Sequence, residues 1–165
     1  MALSNRIKNF RNGTLKLSSG GGAPQHLTVQ FEAGDFSCSD LTETQTATEM
    51  VLDRGVFHDL VYTNFTPASF SFSANLTQNT HATDLTLPDL VRKAGAFAGD
   101  TSTLGAQAIW AVDCLWTVEG TDMGDASDHT LTFANCRLTV STITEGSPSN
   151  TISIAGTVYG DITAT

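Results

Sequence analysis

The stretch FSFSANLTQ, residues 70–78, alternates apolar and polar side chains almost without interruption. Alternation with a period of two is typical of a β-strand, because successive side chains point to opposite faces. The apolar positions form one face, which we expect to be buried: Phe70, Phe72, Ala74 and Leu76. The polar positions form the other face and carry no charge: Ser69, Ser71, Ser73 and Asn75. The stretch therefore predicts a strand whose second face meets either water or another copy of the chain.

Strand-like alternation recurs along the chain, for example in HLTVQFEAG (26–34) after a glycine-rich turn. Apolar side chains occupy both sets of alternate positions in AIWAVDCLWTV (108–118), which predicts a strand covered on both faces. In HTLTFANCRLTV (129–140) the apolar positions change parity, which predicts a β-bulge near Ala134 and Asn135. The chain is therefore predicted to be mainly β.

A single segment, DLTLPDLVRKAGAFAG (84–99), carries a strong helix signal. Thr86 can cap the helix, Pro88 suits its first turn, and Gly95 can end it. We expect a short helix over about residues 87–94. Its apolar stripe should face the core: Leu87, Leu90, Val91 and Ala94.

Length and composition predict one domain, residues 1–165, with a core large enough to fold without disulfides. The formal net charge is -9 and the pI is about 4.6, which disfavours a protein that grips nucleic acid. No stretch approaches the roughly 18 apolar residues of a membrane span. The start, MALSNRIKNF, has no apolar run behind its basic residues, so we expect no signal peptide and no export.

The sequence offers only weak signals for chemistry. Cys38, Cys114 and Cys136 lie in strand-like runs without CxxC spacing, which predicts buried free thiols rather than metal ligands. His58 and Asp59 are adjacent on a predicted strand and should point to opposite faces, so a serine-hydrolase triad is disfavoured. We predict no enzymatic activity, no cofactor and no metal.

Two loops contain residues typical of ligand sites but lack the spacing that such sites require. The loop GTDMGDASDH (120–129) gathers four potential calcium ligands but misses the EF-hand spacing, which favours a solvated connection: Asp122, Asp125, Asp128 and His129. The glycine run at 20–22 lacks the GK[ST] of a phosphate-binding loop and reads as a turn.

The segment SDLTETQTATEM, from Ser39 to Met50, is polar and has almost no apolar residue before Met50. Long polar segments inside compact domains tend to be functional loops. We expect a loop here that is poorly ordered in the lone subunit.

The order of these segments resembles the tail tube (major tail) proteins of tailed bacteriophages. The segments that carry the resemblance cover most of the chain: NGTLKLSSG, LTVQFEAGDFS, VLDRGVFHDLVYTN, ASFSFSANLT, LPDLVRKAGA, AVDCLWTVEG, HTLTFANCRLTVST and TISIAGTVYG. The resemblance implies a β-sandwich or barrel of antiparallel strands with one flanking helix. It also implies homohexameric rings whose inner sheets join into one barrel and which stack into a tube for genome ejection.

The resemblance further implies partners and a location. The partners are copies of the chain itself and other tail proteins: tape measure, terminator, baseplate or tip, and possibly a sheath. Double-stranded DNA would pass without specific binding along a mildly negative wall, and no membrane is involved. The protein would be made in the bacterial host cytoplasm and belong to the tail of the virion.

Two sets of residues become candidate contacts under this resemblance. The polar segment is expected to reach a neighbouring subunit or ring through Leu41, Thr42, Glu43, Thr44, Gln45, Thr46 and Ala47. The uncharged strand face is expected to line the lumen or a subunit contact through Ser69, Ser71, Ser73 and Asn75.

Two alternatives remain open from the sequence. One is the tube subunit of a phage-like secretion or injection machine. The other is a secreted or surface β-sandwich that binds a ligand such as carbohydrate on aromatic platforms: Trp110, Trp116, Tyr62 or Tyr159. Both tryptophans share the parity of Val112 and Cys114, which favours the core for them.

Overall fold

The computed structural model describes residues 13–29, 36–42, 45–76, 84–106, 108–121, 126–146 and 149–165. In these ranges the chain forms ten strands: β1 Gly13–Ser18, β2 His26–Val29, β3 Ser37–Ser39, β4 Thr46–Asp53, β5 Val56–Phe65, β6 Ala68–Asn75, β7 Val112–Val118, β8 His129–Thr144, β9 Thr151–Val158 and β10 Ile162–Ala164. The helix α1 is Leu87–Arg92, and a 3-10 helix follows at Gly95–Phe97. The prediction of a mainly β chain with one short helix is confirmed.

Eight of the strands form one sheet in the order β2-β1-β7-β8-β9-β6-β3, with β10 paired to β8. Every pairing is antiparallel. The long strand β8 belongs to both halves of this sheet, because its first part pairs with β7 and its second part with β9. Strands β4 and β5 form a separate two-stranded hairpin.

A bulge lies in the middle of β8, where the sequence predicted one. Asp113 of β7 lies opposite two residues of β8, Ala134 and Asn135. Asn135 has a φ of 55°, in the left-handed region that Asn tolerates. Its backbone N–H donates to Oδ1 of Asp113 at 2.9 Å, which holds the irregular backbone. Bulges bend a strand and increase its twist, so this one helps the two halves of the sheet to face each other.

The core lies between the two halves of the sheet, as in a β-sandwich. The ring centroid of Phe36 lies 4.9 Å from that of Trp116 in one half and 5.7 Å from that of Phe70 in the other. Phe70 also lies 5.6 Å from Phe133. This aromatic cluster joins both halves, and fully buried aliphatic residues extend it: Leu15, Leu17, Ile152 and Ile154.

Helix α1 begins where the sequence predicted and ends two residues earlier. The hydroxyl of Thr86 accepts from the backbone N–H of Asp89 at 3.3 Å and donates to Oδ2 of Asp89 at 2.9 Å. The helix stops because Lys93 takes a φ of 53° at the C-cap, and Gly95 starts the 3-10 helix instead of ending α1. Trp110 fixes this end, since its Nε1 donates to the carbonyl of Leu90 at 2.7 Å.

The cysteines were predicted to be buried, and this is wrong for one of them. Cys114 and Cys136 are fully buried, and burial raises the pKa of Cys136 to about 12. Cys38 is exposed although it pairs with the buried Phe70, because among the described residues β3 is an edge strand that pairs only with β6. The segment 108–118 is likewise covered less than predicted, since Ile109 at its start is 67% exposed.

Candidate assembly surfaces

The predicted alternation in β6 is confirmed by burial. Phe70, Phe72 and Ala74 are at most 3% exposed. The intervening polar residues point to the other side, where Ser71 is exposed and the others are half-buried: Ser69, Ser73 and Asn75. The four candidate residues of this strand therefore share one outward face.

Register extends that face across four strands, which we call the four-strand layer: β3, β6, β9 and residues 137–144 of β8. Cross-strand partners point to the same side of a sheet. The outward residues of the layer, the hydroxyl face, are Ser37, Ser39, Ser69, Ser71, Ser73, Asn75, Thr151, Ser153, Ala155, Thr157, Arg137, Thr139, Thr142 and Thr144. All are Ser or Thr apart from Asn75, Ala155 and Arg137, so the face is nearly uncharged in a chain of net charge -9.

The hydroxyl groups on this face bond to one another across the strands. Ser37 pairs with Ser71 at 2.8 Å, and Ser39 with Ser69 at 2.8 Å. Ser73 pairs with Ser153 at 2.9 Å in the same way. Each bond uses one of the two hydroxyl donors of its pair, so the face is a surface of small groups that are partly bonded to one another.

The four-strand layer has two free edges within the described residues. Strand β3 pairs only with β6, and β8 after Cys136 pairs only with β9. From Thr139 to Thr144 every residue of β8 is exposed. This part of β8 has neither Lys nor Pro, the residues that commonly protect an edge strand from pairing with another chain.

The predicted loop at Leu41–Ala47 is partly a strand, which corrects the sequence prediction. Thr46 and Ala47 belong to β4. Leu41 and Thr42 lie outside strands and are exposed, whereas Gln45 is buried, with its Nε2 donating to the carbonyl of Thr42 at 3.0 Å. Glu43 and Thr44 lie outside the described residues. The polar composition of 39–50 gave no sign of a strand, but its residues from Thr46 onward belong to β4, which pairs with the apolar strand β5.

The hairpin β4–β5 turns at Arg54 and Gly55, whose φ angles are 49° and 81°. Two successive positive φ angles indicate a type I′ turn, which suits the twist of a two-residue hairpin. One face, the apolar face, carries large side chains that are each about half exposed or more: Met50, Leu52, Phe57, Leu60, Tyr62 and Phe65. The opposite, mixed face alternates carboxylates with valines: Glu49, Val51, Asp53, Val56, Asp59 and Val61.

Sequence reasoning did not single out the apolar face of the hairpin. The available signal was the set of apolar residues that flank the turn in EMVLDRGVFHDLVYTN (49–64). A groove of about 550 Å³ continues this face at the base of the hairpin, lined by Thr42, Thr46, Ala47, Thr48, Leu60, Tyr62 and Thr66.

The loop 120–129 is described only at its two ends. Asp128 closes its loop by accepting bonds at Oδ1 from the backbone N–H of Gly120 at 3.1 Å and the hydroxyl of Thr121 at 3.0 Å. Asp122 and Asp125 lie outside the described residues. Among the residues that are described, no group of three or more His, Cys, Asp or Glu is placed to hold a metal ion.

The aromatic residues proposed as sugar platforms divide into two pairs. Trp110 is hydrogen-bonded to the carbonyl of Leu90 in α1, and the Lys93 ammonium lies 5.3 Å from its ring centroid. Trp116 stacks on Phe36. Tyr62 and Tyr159 are about half exposed or more. Within the described part of the chain, no helix is long and apolar enough to cross a membrane.

Comparison with known proteins identifies the fold. The sequence matches no protein-family model and no curated protein sequence. Several solved structures are similar along nearly the whole chain, and three of them illustrate the likeness. The first is a sheath/tube terminator of the PVC extracellular contractile injection system, with a TM-score of 0.61, 11% identity, and 99% of both chains covered.

The second is a chain of the PVC sheath–tube complex, with a TM-score of 0.60 and 12% identity over 99% of this chain and 93% of that one. The third is the tube-terminating cap of the anti-feeding prophage, with a TM-score of 0.53 and 9% identity over 100% of this chain and 94% of that one. At these identities the comparison shows a shared fold, the tail-tube-like β-sandwich that the sequence resemblance implied.

Proposed function

We propose that this chain is a structural, non-catalytic subunit of a phage-tail-like tube, in which copies form closed rings that stack around a channel. The observation that carries the proposal is the four-strand layer, whose outward face is nearly uncharged and which has two free edges among the described residues. Strands β3 and β8 are its outer members, and four successive antiparallel strands make them run in opposite directions. Rotation about a ring axis preserves these directions, so β8 of one copy meets β3 of the next antiparallel.

Ring closure would remove both free edges at once, because every copy supplies one edge of each kind. Six copies would bring six times four strands into one barrel. With about 4.8 Å between strands and a tilt of about 40°, that barrel has a diameter on the order of 50 Å. Such a channel is wide enough for double-stranded DNA or for an unfolded or small folded protein.

The hydroxyl face, including Ser69, Ser71, Ser73 and Asn75, would line this channel. Its chemistry suits passage, since hydroxyl groups that already bond to each other hold a moving cargo weakly. The mildly negative wall expected from the net charge has no counterpart on this face, whose single charged side chain is Arg137. Low charge, rather than repulsion, is the property that would keep double-stranded DNA from binding specifically.

The outward elements would make the remaining contacts of a tail. The hairpin and the segment Leu41–Ala47 would reach a neighbouring subunit or ring, and other surfaces would meet the tape measure, terminator, baseplate or sheath. Two of the structural neighbours are described as parts of an extracellular contractile injection system, which supports an injection machine as the second form of the same proposal. In a phage, the protein would reside in the tail of the virion.

Assembly of the purified protein tests the proposal. Light scattering and mass photometry over a range of protein and salt concentrations should show rings, with six copies expected, and negative-stain images should show rings or tubes. A species that stays monomeric under every condition, with no rings on the grid, would overturn the proposal.

Orientation of the hydroxyl face has its own test. Ser71→Cys in a Cys38→Ser background places one reactive thiol on that face. In assembled tubes a small maleimide should label this thiol, and a large polymer-linked maleimide should not, whereas both should label the free subunit. Equal labelling by both reagents in tubes would place the face on the outside.

A further inference from the structure

The two free edges of the four-strand layer carry opposite charges at the same level of the sheet. One row of cross-strand partners crosses the whole hydroxyl face: Ser39 of β3, Ser69 of β6, Thr157 of β9 and Arg137 of β8. Asp40 directly follows Ser39 at the end of β3. One end of the row therefore has a carboxylate beside it, and the other end is a guanidinium.

Both charged groups lie on the outward side of the layer. Arg137 is exposed and belongs to the hydroxyl face through its pairing with Thr157. Asp40 is exposed and has a φ of 60°, so the backbone leaves the regular strand there. The hydroxyl of Ser39 donates to Oδ2 of Asp40 at 3.2 Å and lies 2.8 Å from the hydroxyl of Ser69. Because Ser39 can accept from Ser69 while it donates to Asp40, these hydroxyls hold the carboxylate at the edge of the hydroxyl face.

Neither charge is neutralised within the described part of the chain. Among those residues, Arg137 and Asp40 form no ion pair. Arg137 is also the one Lys, Arg, Asp or Glu in the strand residues of the layer, and Glu145 follows β8 at the opposite end of the layer. The row that ends in Arg137 thus has one cation and one anion, each at a different edge.

Ring closure would bring these two ends together. Where β8 of one copy meets β3 of the next antiparallel, the Asp40 end of β3 points toward the Arg137 end of β8. Strand tilt staggers the next copy along this edge, and the stagger can run only toward Thr144, because β7 pairs with β8 as far as Cys136. For four strands and a tilt of up to about 40°, the Cα atoms of Arg137 and the next copy's Asp40 lie about 5–15 Å apart. The two side chains span most of that distance, which leaves their charges within a Debye length of about 8 Å.

We propose that Arg137 of one copy and Asp40 of the next form a charge pair where β8 meets β3. Opposite charges meet only at this contact, because an edge that pairs with the same edge of another copy brings like charges to the interface. The pair therefore favours the heterologous contact that closes a ring over a two-fold dimer of edges. This inference rests on the proposed tube function and identifies the residues that select the partner edge.

Exchange of the two charges tests the pair. Arg137→Asp and Asp40→Arg should each raise the protein concentration at which half of the copies are in rings by about threefold or more, since each replaces attraction by repulsion. The double variant with both changes should return to within about twofold of the wild-type protein. The single-variant effects should shrink at high salt, because exposed charges are screened. Mass photometry over a dilution series measures all three variants, and circular dichroism controls for folding.

A matched control separates the pair from net charge. Asp53→Arg makes the same change of charge as Asp40→Arg, but Asp53 lies in the hairpin β4–β5, which belongs to neither edge of the layer. Arg137→Asp combined with Asp53→Arg should remain impaired. Equal recovery in this combination, or no recovery when Arg137→Asp is combined with Asp40→Arg, would overturn the charge pair.

Crosslinking gives a readout that does not depend on complete rings. Arg137→Cys and Asp40→Cys are made in separate chains, one with a size tag, both in a Cys38→Ser background. A short bismaleimide should join one tagged chain to one untagged chain. Lys16→Cys in place of Arg137→Cys is the control, because Lys16 lies in β1, which is paired on both sides.

The two experiments distinguish failure of this inference from failure of the proposed function. Wild-type rings without charge rescue and without the mixed crosslink would refute the pair and leave the tube standing. The mixed crosslink in a protein that forms no rings would support the pair and refute the tube. Predominant crosslinking of either cysteine variant to itself, or no crosslink and no rings, would overturn the pair.

Discussion

Strand β6 and the hairpin β4–β5 both carry a face of apolar side chains, but this face is buried in β6 and exposed in the hairpin. In β6 the apolar side chains are buried under the aromatic cluster, and a residue such as Phe72 is 2% exposed. In the hairpin, Leu60 is 58% exposed although it belongs to an equally apolar face. The difference is whether the described residues supply a facing layer, as they do for β6 and do not for the apolar face of the hairpin. An alternating sequence determines which side chains share a face, but the cover for that face can belong to another molecule.

Truncation of one side chain in each region should give the largest difference in the free energy of unfolding. Phe72→Ala removes a buried ring and should lower the free energy of unfolding of the monomer by about 3–5 kcal/mol. Leu60→Ala removes a side chain that is exposed in the monomer and should change that free energy by at most about 0.5 kcal/mol. Urea unfolding of each variant at low protein concentration measures both values.

Assembly should respond in the reverse way. Leu60→Ala should raise the protein concentration at which rings appear, because the apolar face loses part of its contact area. If Leu60→Ala destabilises the monomer as much as Phe72→Ala does, the hairpin is packed within its own chain and the contrast between the regions disappears.

A smaller effect is expected where β9 pairs with β6 and Gly156 lies opposite Phe70. A Cβ at Gly156 would lie 2.6 Å from Cε1 of Phe70, so the ring occupies the space of the missing side chain. Gly156→Ala should force the ring to shift and cost about 1–3 kcal/mol of unfolding free energy. Gly99→Ala is a matched control, because a Cβ there meets nothing within 4 Å. Thermal unfolding followed by near-UV circular dichroism reports both stability and the packing of the aromatic cluster.

Comparison of Gly156→Ala with Gly99→Ala separates packing from backbone effects. Equal stability of the two variants would show that Phe70 can move without cost, and the core would then be looser than its burial indicates.

Much of the fold was predictable because local rules decided it. Period-two alternation identified β6, a parity change identified the bulge at Asn135, and a capping residue identified the start of α1. The end of α1 was misjudged, because Lys93 adopts a left-handed conformation that sequence rules assign to glycine. The position of Cys38 was misjudged because nothing local distinguishes an edge strand from a central one.

The candidate surfaces were predictable only in part. The outward face of β6 followed from alternation, but its extension through Ser37, Ser153 and Thr139 depends on strand order, which joins residues far apart in sequence. The segment 41–47 was read as a loop because its own side chains are polar. Its last two residues, Thr46 and Ala47, are in a strand because β5 supplies the apolar partner.

The smallest expected effect lies at Asp128, in a loop that contributes to neither the core nor the apolar face. Bonds from the backbone and hydroxyl of Thr121, and from the backbone of Gly120, lower the pKa of Asp128 below its usual 3.8. A carboxylate whose pKa is lowered on folding stabilises the folded state above its unfolded pKa, and this contribution is lost as the pH falls through the folded value.

Asp128→Asn keeps an acceptor oxygen but removes the charge. The melting temperature of the wild-type protein should therefore exceed that of the variant slightly at neutral pH, and the gap should close as the pH falls below about 4. Because Asp128 is fully exposed, solvent screening keeps the gap small. Thr121→Ala, which removes one of the three donors, should give an intermediate gap with the same pH dependence. A gap that is constant from neutral to acidic pH would show that the loop is held by its shape rather than by the charge of Asp128.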